Sequence, residues 1–215
     1  MNDRIGITDL KRMFAEAGKQ IRQEHESLSR LDSIGGDGDH GTAMLQAFDT
    51  LDEAAKAGSG KSLSGWLKDA GWSVLGVGGG ASTALLGTFI AGMGDAELGD
   101  ECGCAQLAAS LKAGLEALGR QTKAQPGDKT MMDALAPAVE AFADAAARGK
   151  PAATAMEEAA EAACRGAEST KAMIARYGRA KFLGEKTRGS ADAGATSMAL
   201  LFRGFSIGLM QAKEA

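Results

Sequence analysis

This chain has few aromatic residues, few cysteines and no excess of positive charge. Two Trp, one Tyr and seven Phe in 215 residues, set against abundant Ala, Leu, Met, Glu and Lys, favour helix over strand. No segment alternates apolar and polar residues convincingly, so no sheet is expected. The 24 basic residues are outnumbered by 28 acidic ones, a net charge of -4. A nucleic-acid binder would carry a basic face instead. Cys102, Cys104 and Cys164 are an odd number of cysteines, two of them only one residue apart, which is no disulfide framework. Cys102-Gly-Cys104 reads either as a soft-metal pair or as small residues buried at a helix start. The first residues, Met-Asn-Asp-Arg-Ile-Gly, lack the apolar core of a secretory signal, and the expected compartment is the cytoplasm. Ala70 to Gly94 carries no charge and approaches the length of a membrane span, but it holds eight glycines. It reads as two buried half-segments joined by a glycine loop, with no membrane helix.

Helical spacing fills most of the chain, which fits one domain over residues 1–215. Leu10, Phe14, Ala17 and Ile21 mark a face from about Thr8 to Leu31. Leu45, Phe48 and Leu51 mark a second helix. Leu63, Trp66, Leu67, Ala70 and Val74 mark a third, and residues 81–93 a fourth. Leu107, Leu111, Leu115 and Leu118 give a fifth. Met132, Leu135, Val139 and Phe142 give a sixth, with Pro137 tolerated or causing a bend. The alanine-rich stretch 151–176 gives a seventh, with Pro151 in its first turn, and residues 192–212 an eighth.

The densest chemistry lies in Leu31-Asp-Ser-Ile-Gly-Gly-Asp-Gly-Asp-His-Gly41. Asp32, Asp37 and Asp39 would repel one another without a cation between them, and the interleaved glycines let the backbone bend so that they converge. Hard oxygen ligands on such a loop suit Mg2+ or Ca2+ rather than zinc. Asp-Gly-Asp is also ordinary turn chemistry. An EF-hand is excluded, because the twelfth position counted from Asp37 is Phe48 rather than Glu.

Three further loops break the helical pattern. Gly78-Gly-Gly-Ala-Ser-Thr83, containing Gly80, Ala81 and Ser82, can present backbone N–H groups to a phosphate, although a plain Ser82 or Thr83 cap fits equally well. It is not a Walker A loop. Pro126-Gly-Asp-Lys-Thr-Met131, containing Thr130 and Met131, offers Asp128 as a cap for the sixth helix. Gly178-Arg-Ala-Lys-Phe-Leu-Gly184 and Gly189-Ser-Ala-Asp-Ala-Gly-Ala-Thr-Ser197 bring Arg179, Lys181, Lys186 and Arg188. These form either a solvated charge run or a phosphate-facing group.

Together and in this order, these loops make the chain resemble the dihydroxyacetone kinase L subunit family (DhaL), over nearly its whole length. The carrying elements are Leu31-Asp32 with Gly36-Asp-Gly-Asp-His-Gly41, Gly79-Gly-Ala-Ser82 with Leu86-Gly-Thr-Phe89, Pro126-Gly-Asp-Lys-Thr-Met131 with Asp133, Gly178-Arg-Ala180, Leu183-Gly184, and Asp192 with Gly194-Ala-Thr-Ser197. The resemblance implies an all-α barrel of eight antiparallel helices with a nucleotide at one end. It implies that Asp32, Asp37 and Asp39 hold two Mg2+ ions on the phosphates of ADP or ATP. The family's nucleotide contacts fall on His40, Gly41, Thr42 and Ala43, on Gly80, Ala81 and Ser82, and on Thr130, Met131 and Arg179. Asp192, Ala193 and Gly194 close the site. The family usually has Pro where this chain has Ala193, and often Gly where it has Thr122, near the adenine side.

Phosphoryl transfer is mostly positioning and charge neutralisation. Three carboxylates and ATP bring about seven negative charges, of which two Mg2+ offset four. The glycine-loop N–H groups and Arg179 are the expected remaining donors. By the same resemblance, the ketose sits on a separate K subunit. The phosphoryl donor is either free ATP or a phosphotransferase-system protein, and the acceptor is dihydroxyacetone or a relative such as erythrulose. A homodimer is a further possibility. A nucleotide-sensing regulatory module is the competing reading from a different class.

Overall fold

A computed structural model describes residues 4–57, 62–78 and 80–211. Eight α-helices occur among them: α1 (Ile7–Asp32), α2 (His40–Ala57), α3 (Leu63–Gly76), α4 (Gly80–Met93), α5 (Cys104–Gln121), α6 (Met132–Ala147), α7 (Ala152–Ser169) and α8 (Ala193–Gln211). Their ends are set by local polar groups. Asp9 accepts from the Gly6 N–H at 3.0 Å, Ser62 accepts from Gly65 N–H at 3.2 Å, and Gln106 accepts from Gly103 N–H at 3.0 Å. Each bond satisfies a donor that the first helical turn leaves free.

Each helix packs on the next along the chain, and α8 packs on α1. This closes the eight helices into an up-and-down ring. Phe14, Trp66, Phe202 and Phe205 fill part of the interior, with Phe14 and Phe205 edge to face at 4.9 Å. Small residues bring the helix axes close. A Cβ added at Gly204 of α8 would lie 2.2 Å from Ala17 Cα of α1, and one at Gly71 of α3 would lie 2.3 Å from Ala91 N of α4. Pro137 sits inside α6 with no N–H to give the Asp133 carbonyl. At Gly166, α7 closes on that same carbonyl, 2.0 Å from where a Cβ would stand.

Three expectations need correction. A two-residue antiparallel pair, β1 (Ile5–Gly6) with β2 (Glu101–Cys102), exists where no sheet was expected, because strands this short carry no alternation. Cys102 is buried in β2, where burial pushes its thiol up to about 11, and Cys104 opens α5. α7 ends at Ser169 rather than running to 176, and Thr170–Ala172 form a 3-10 turn. Pro151 stands just before α7, at its N-cap, rather than inside it. Among the described residues, α8 alone is long and apolar enough to cross a membrane, and 67% of that stretch is buried in the bundle.

Candidate functional site

In an up-and-down ring, alternate connections share an end. The links α1–α2, α3–α4, α5–α6 and α7–α8 therefore meet at one end, and these are the four chemically distinctive loops. They enclose a cavity of about 380 Å³. Lining it are Asp32, Asp37, Asp39, His40, Gly80, Ala81, Ser82, Thr130, Met131, Arg179, Asp192, Ala193 and Gly194. Gly41, Thr42 and Ala43 are not among the lining residues. They lie in the first turn of α2, beside His40, and Gly41 packs on α1, where a Cβ would stand 1.8 Å from the His25 carbonyl oxygen.

The Asp loop folds back on the end of α1. The N–H groups of Gly35 and Gly36 donate to the Asp32 carbonyl at 3.0 and 2.6 Å. The Asp32 carboxylate accepts from the Gly38 N–H at 2.9 Å, with Gly38 in the left-handed region at φ +78°. One carboxylate oxygen from each of Asp32, Asp37 and Asp39 then lies within 4.8 Å of the others. Among the described residues this is the only group of three such ligands. The Arg179 guanidinium pairs with Asp37 and holds its carboxyl below the usual range. Burial raises the Asp39 carboxyl, helped by the charge of Asp37. Three hard oxygen donors, partly open to solvent, fit a divalent cation that keeps other positions for water or phosphate.

The other walls are as specific. His40 is buried, which lowers its pKa, and its ring nitrogen shares a 3.1 Å hydrogen bond with the Ser197 hydroxyl of α8. α4 begins at Gly80, φ +84°. Thr83 donates to the carbonyls of Gly78 and Gly80 at 2.8 and 3.0 Å. Ser82 and Thr83 thus lie in the first turn rather than at the cap. Gly79 lies outside the described residues. Asp133, not Asp128, organises the turn before α6, accepting from Gly127 N–H at 2.6 Å and Thr130 N–H at 2.7 Å. Asp128 accepts from Gln125 N–H at 2.9 Å within the loop. Asp192 accepts from Ala195 N–H at 2.7 Å, and burial pushes its carboxyl up to about 6. Ala193 begins α8 and is buried. Thr122 lines the cavity and accepts from Ala124 N–H at 3.1 Å.

Of the four cations in the last loop, Arg179 alone lines the cavity. Lys181 lies over the exposed Phe182 ring at 4.9 Å, Arg188 pairs with Glu185 at 2.8 Å, and Lys186 is exposed. Sequence reasoning did not single out Lys129 or Tyr177, which also line the cavity.

The model of the DAK2 domain family matches residues 34–206. The chain belongs to the DAK2 family. It is 34% identical to the ADP-binding subunit DhaL of the PEP-dependent dihydroxyacetone kinase of Escherichia coli, covering 93% of this chain and 95% of that protein. It is 33% identical to a DhaL subunit of Listeria innocua, over 89% and 91% of the two chains. Within the DAK2 family the chain is thus of the DhaL type, a subunit of a phosphotransferase. It is also 34% identical to D-erythrulose kinase of Mycolicibacterium smegmatis, covering 93% of this chain but 35% of that protein. The chain spans about a third of the length of that kinase. The dihydroxyacetone kinase of C. freundii in complex with AMP-PNP and Mg2+ superposes with a TM-score of 0.70 and 24% identity, over 92% of this chain and 33% of that one. The native form gives 0.69. This likeness shows the all-α fold.

Proposed function

We propose that the loop end of this DAK2 domain binds ADP or ATP through two Mg2+ ions on Asp32, Asp37 and Asp39, and serves as the nucleotide subunit of a dihydroxyacetone-type kinase. The observation that carries this reading is the convergence of three carboxylates with Arg179 at the mouth of a cavity walled by four loops. Bound Mg2+ would neutralise and orient phosphate oxygens. Arg179 adds charge on the open side, with freedom to swing from Asp37 towards phosphate because it is exposed. Gly80, Ala81 and Ser82 line the cavity in the first turn of α4, where a helix leaves N–H groups free for a phosphate. Thr130, Met131 and Asp192 to Gly194 supply the remaining walls.

The acceptor ketose is proposed to arrive on a K subunit. Ile34, Tyr177, Phe182 and Leu183 are large exposed apolar residues in the two segments that frame the mouth, and Phe182 is 81% exposed. A partner presenting a substrate to the terminal phosphate must approach there. The near-complete coverage of PEP-dependent DhaL subunits supports a phosphotransferase-system donor recharging bound ADP. The likeness to erythrulose kinases keeps erythrulose as the second acceptor. The test is product formation when the chain is mixed with a dihydroxyacetone-loaded K subunit. Turnover with ATP alone identifies an ATP-using kinase, and turnover that needs phosphoenolpyruvate and the phosphocarrier proteins identifies the coupled form. No sugar phosphate from either mixture would contradict the reading.

A further inference from the structure

Two cations line the cavity, and they are placed in opposite ways. Arg179 is exposed, whereas Lys129 is only 5% exposed. Lys129 is also one of two non-glycine residues with positive φ among the described residues, at +60°. That conformation is unfavourable for a residue with a Cβ and persists only where the surroundings impose it. The Lys129 ammonium donates to the Thr170 carbonyl at 2.7 Å and to the Ser190 carbonyl at 2.6 Å. The Thr170 hydroxyl in turn accepts from the Asp192 N–H at 2.9 Å. One buried charge therefore ties together the turn at 126–131, the end of α7 and the approach to α8. The first and last of these segments are cavity walls, through Thr130 and Met131 on one side and Asp192 to Gly194 on the other.

We propose that Lys129 is a positioning residue for the nucleotide, its ammonium fixing the start of α8 against the Pro126–Met131 turn and so setting the width of the cavity. With two of its three N–H groups committed to carbonyls, it acts through the walls rather than as a free phosphate ligand. The inference rests on the cavity being the nucleotide site. Its effect is on ligand affinity rather than on the helical ring, because every bond it makes lies in loops at one end.

The experiment is calorimetric titration of ADP with Mg2+ into the full chain, for wild type, Lys129→Met and Lys129→Arg, well below the melting temperature. Loss of two charge-assisted hydrogen bonds should weaken ADP in Lys129→Met by at least about tenfold. Amide exchange should quicken at 187–193 and stay unchanged in the helix cores. Lys129→Arg, which keeps charge and donors, should recover most of the affinity. A Lys129→Met protein that melts earlier yet binds ADP like wild type overturns the proposal, since that is the signature of a purely structural residue. If Lys129→Met does not fold, Thr170→Val breaks the same network at the Asp192 N–H, and unchanged ADP affinity in it overturns the proposal equally. Wild type that binds no nucleotide overturns the functional reading, and this inference with it. Binding by wild type and Lys129→Met alike removes this inference alone.

Discussion

Gly36→Ala separates the metal site from the fold more cleanly than removing a carboxylate. A Cβ at position 36 would lie 2.3 Å from Asp32 Oδ1 and 2.7 Å from Asp32 Cγ. An ordinary carbon–oxygen contact is about 3.3 Å, so the carboxylate must retreat by about 1 Å. The obstructing atoms belong to the end of a side chain that can rotate. The fold gives way easily, because Gly36 is exposed and outside the positive-φ region, and the stability cost should be that of the one hydrogen bond lost, about 0.5–1.5 kcal/mol. The site cannot give way in the same manner. Ligand distances to Mg2+ hold within about 0.2 Å of their ideal, and retreat also breaks the Asp32 bond to the Gly38 N–H. Misplaced ligands typically cost roughly 10- to 100-fold in metal affinity, equivalent to about 1.4–2.7 kcal/mol. Calorimetry of ADP with Mg2+, alongside a thermal melt, should show weakened binding on a melting curve lowered by only a few degrees. Wild-type affinity in Gly36→Ala would refute the carboxylate geometry as the basis of binding. Gly41→Ala is the contrasting control, since its obstruction is the His25 backbone carbonyl at 1.8 Å; it should lose stability outright.

Phe182→Asp should leave ADP affinity within about twofold of wild type, while the K-subunit concentration for half-maximal turnover rises by at least about tenfold, as for loss of an exposed apolar anchor; unchanged dependence on the partner argues against docking at the mouth. Asp192 titrates near 6 in the fold against an ordinary 3.8, so the folded state holds its proton more tightly than the unfolded chain. Its contribution to stability is complete below about pH 4 and is lost as pH rises through about 6, up to about 3 kcal/mol. Urea unfolding should therefore show wild type losing ground to Asp192→Asn between pH 4.5 and 7, measured as about 0.5 pH steps; a constant difference refutes it. Gly204→Ala forces a Cβ to 2.2 Å from Ala17 Cα across the α1–α8 contact, and should cost about 1–3 kcal/mol or more; an unchanged urea midpoint contradicts the close approach.

Most of the helices were legible because they present an apolar stripe at three- to four-residue spacing, as Leu10, Phe14, Ala17 and Ile21 do. The convergence of the Asp loop was legible because its three carboxylates are interleaved with glycines that let the backbone fold them together. What sequence did not show depends on the path of the chain. The end of α7 is set at Thr170, whose hydroxyl bonds back to the Ala167 carbonyl at 2.5 Å and whose own carbonyl is taken by Lys129. No spacing rule announces that distant ammonium. The turn before α6 is organised by Asp133, inside the helix's first turn, rather than by Asp128, because the chain curls Gly127 and Thr130 onto it. Gly41, Thr42 and Ala43 follow the metal loop in sequence and lie in the first turn of α2, but none of them is a lining residue of the cavity.

The most direct test of the account is calorimetric titration of ADP into the wild-type chain with and without Mg2+, repeated with Asp37→Ala. The account predicts tight binding that requires Mg2+ and disappears in the variant while its helical circular dichroism is unchanged. Binding that is indifferent to Mg2+, or that survives in Asp37→Ala, would contradict the carboxylate triad as the metal-nucleotide site.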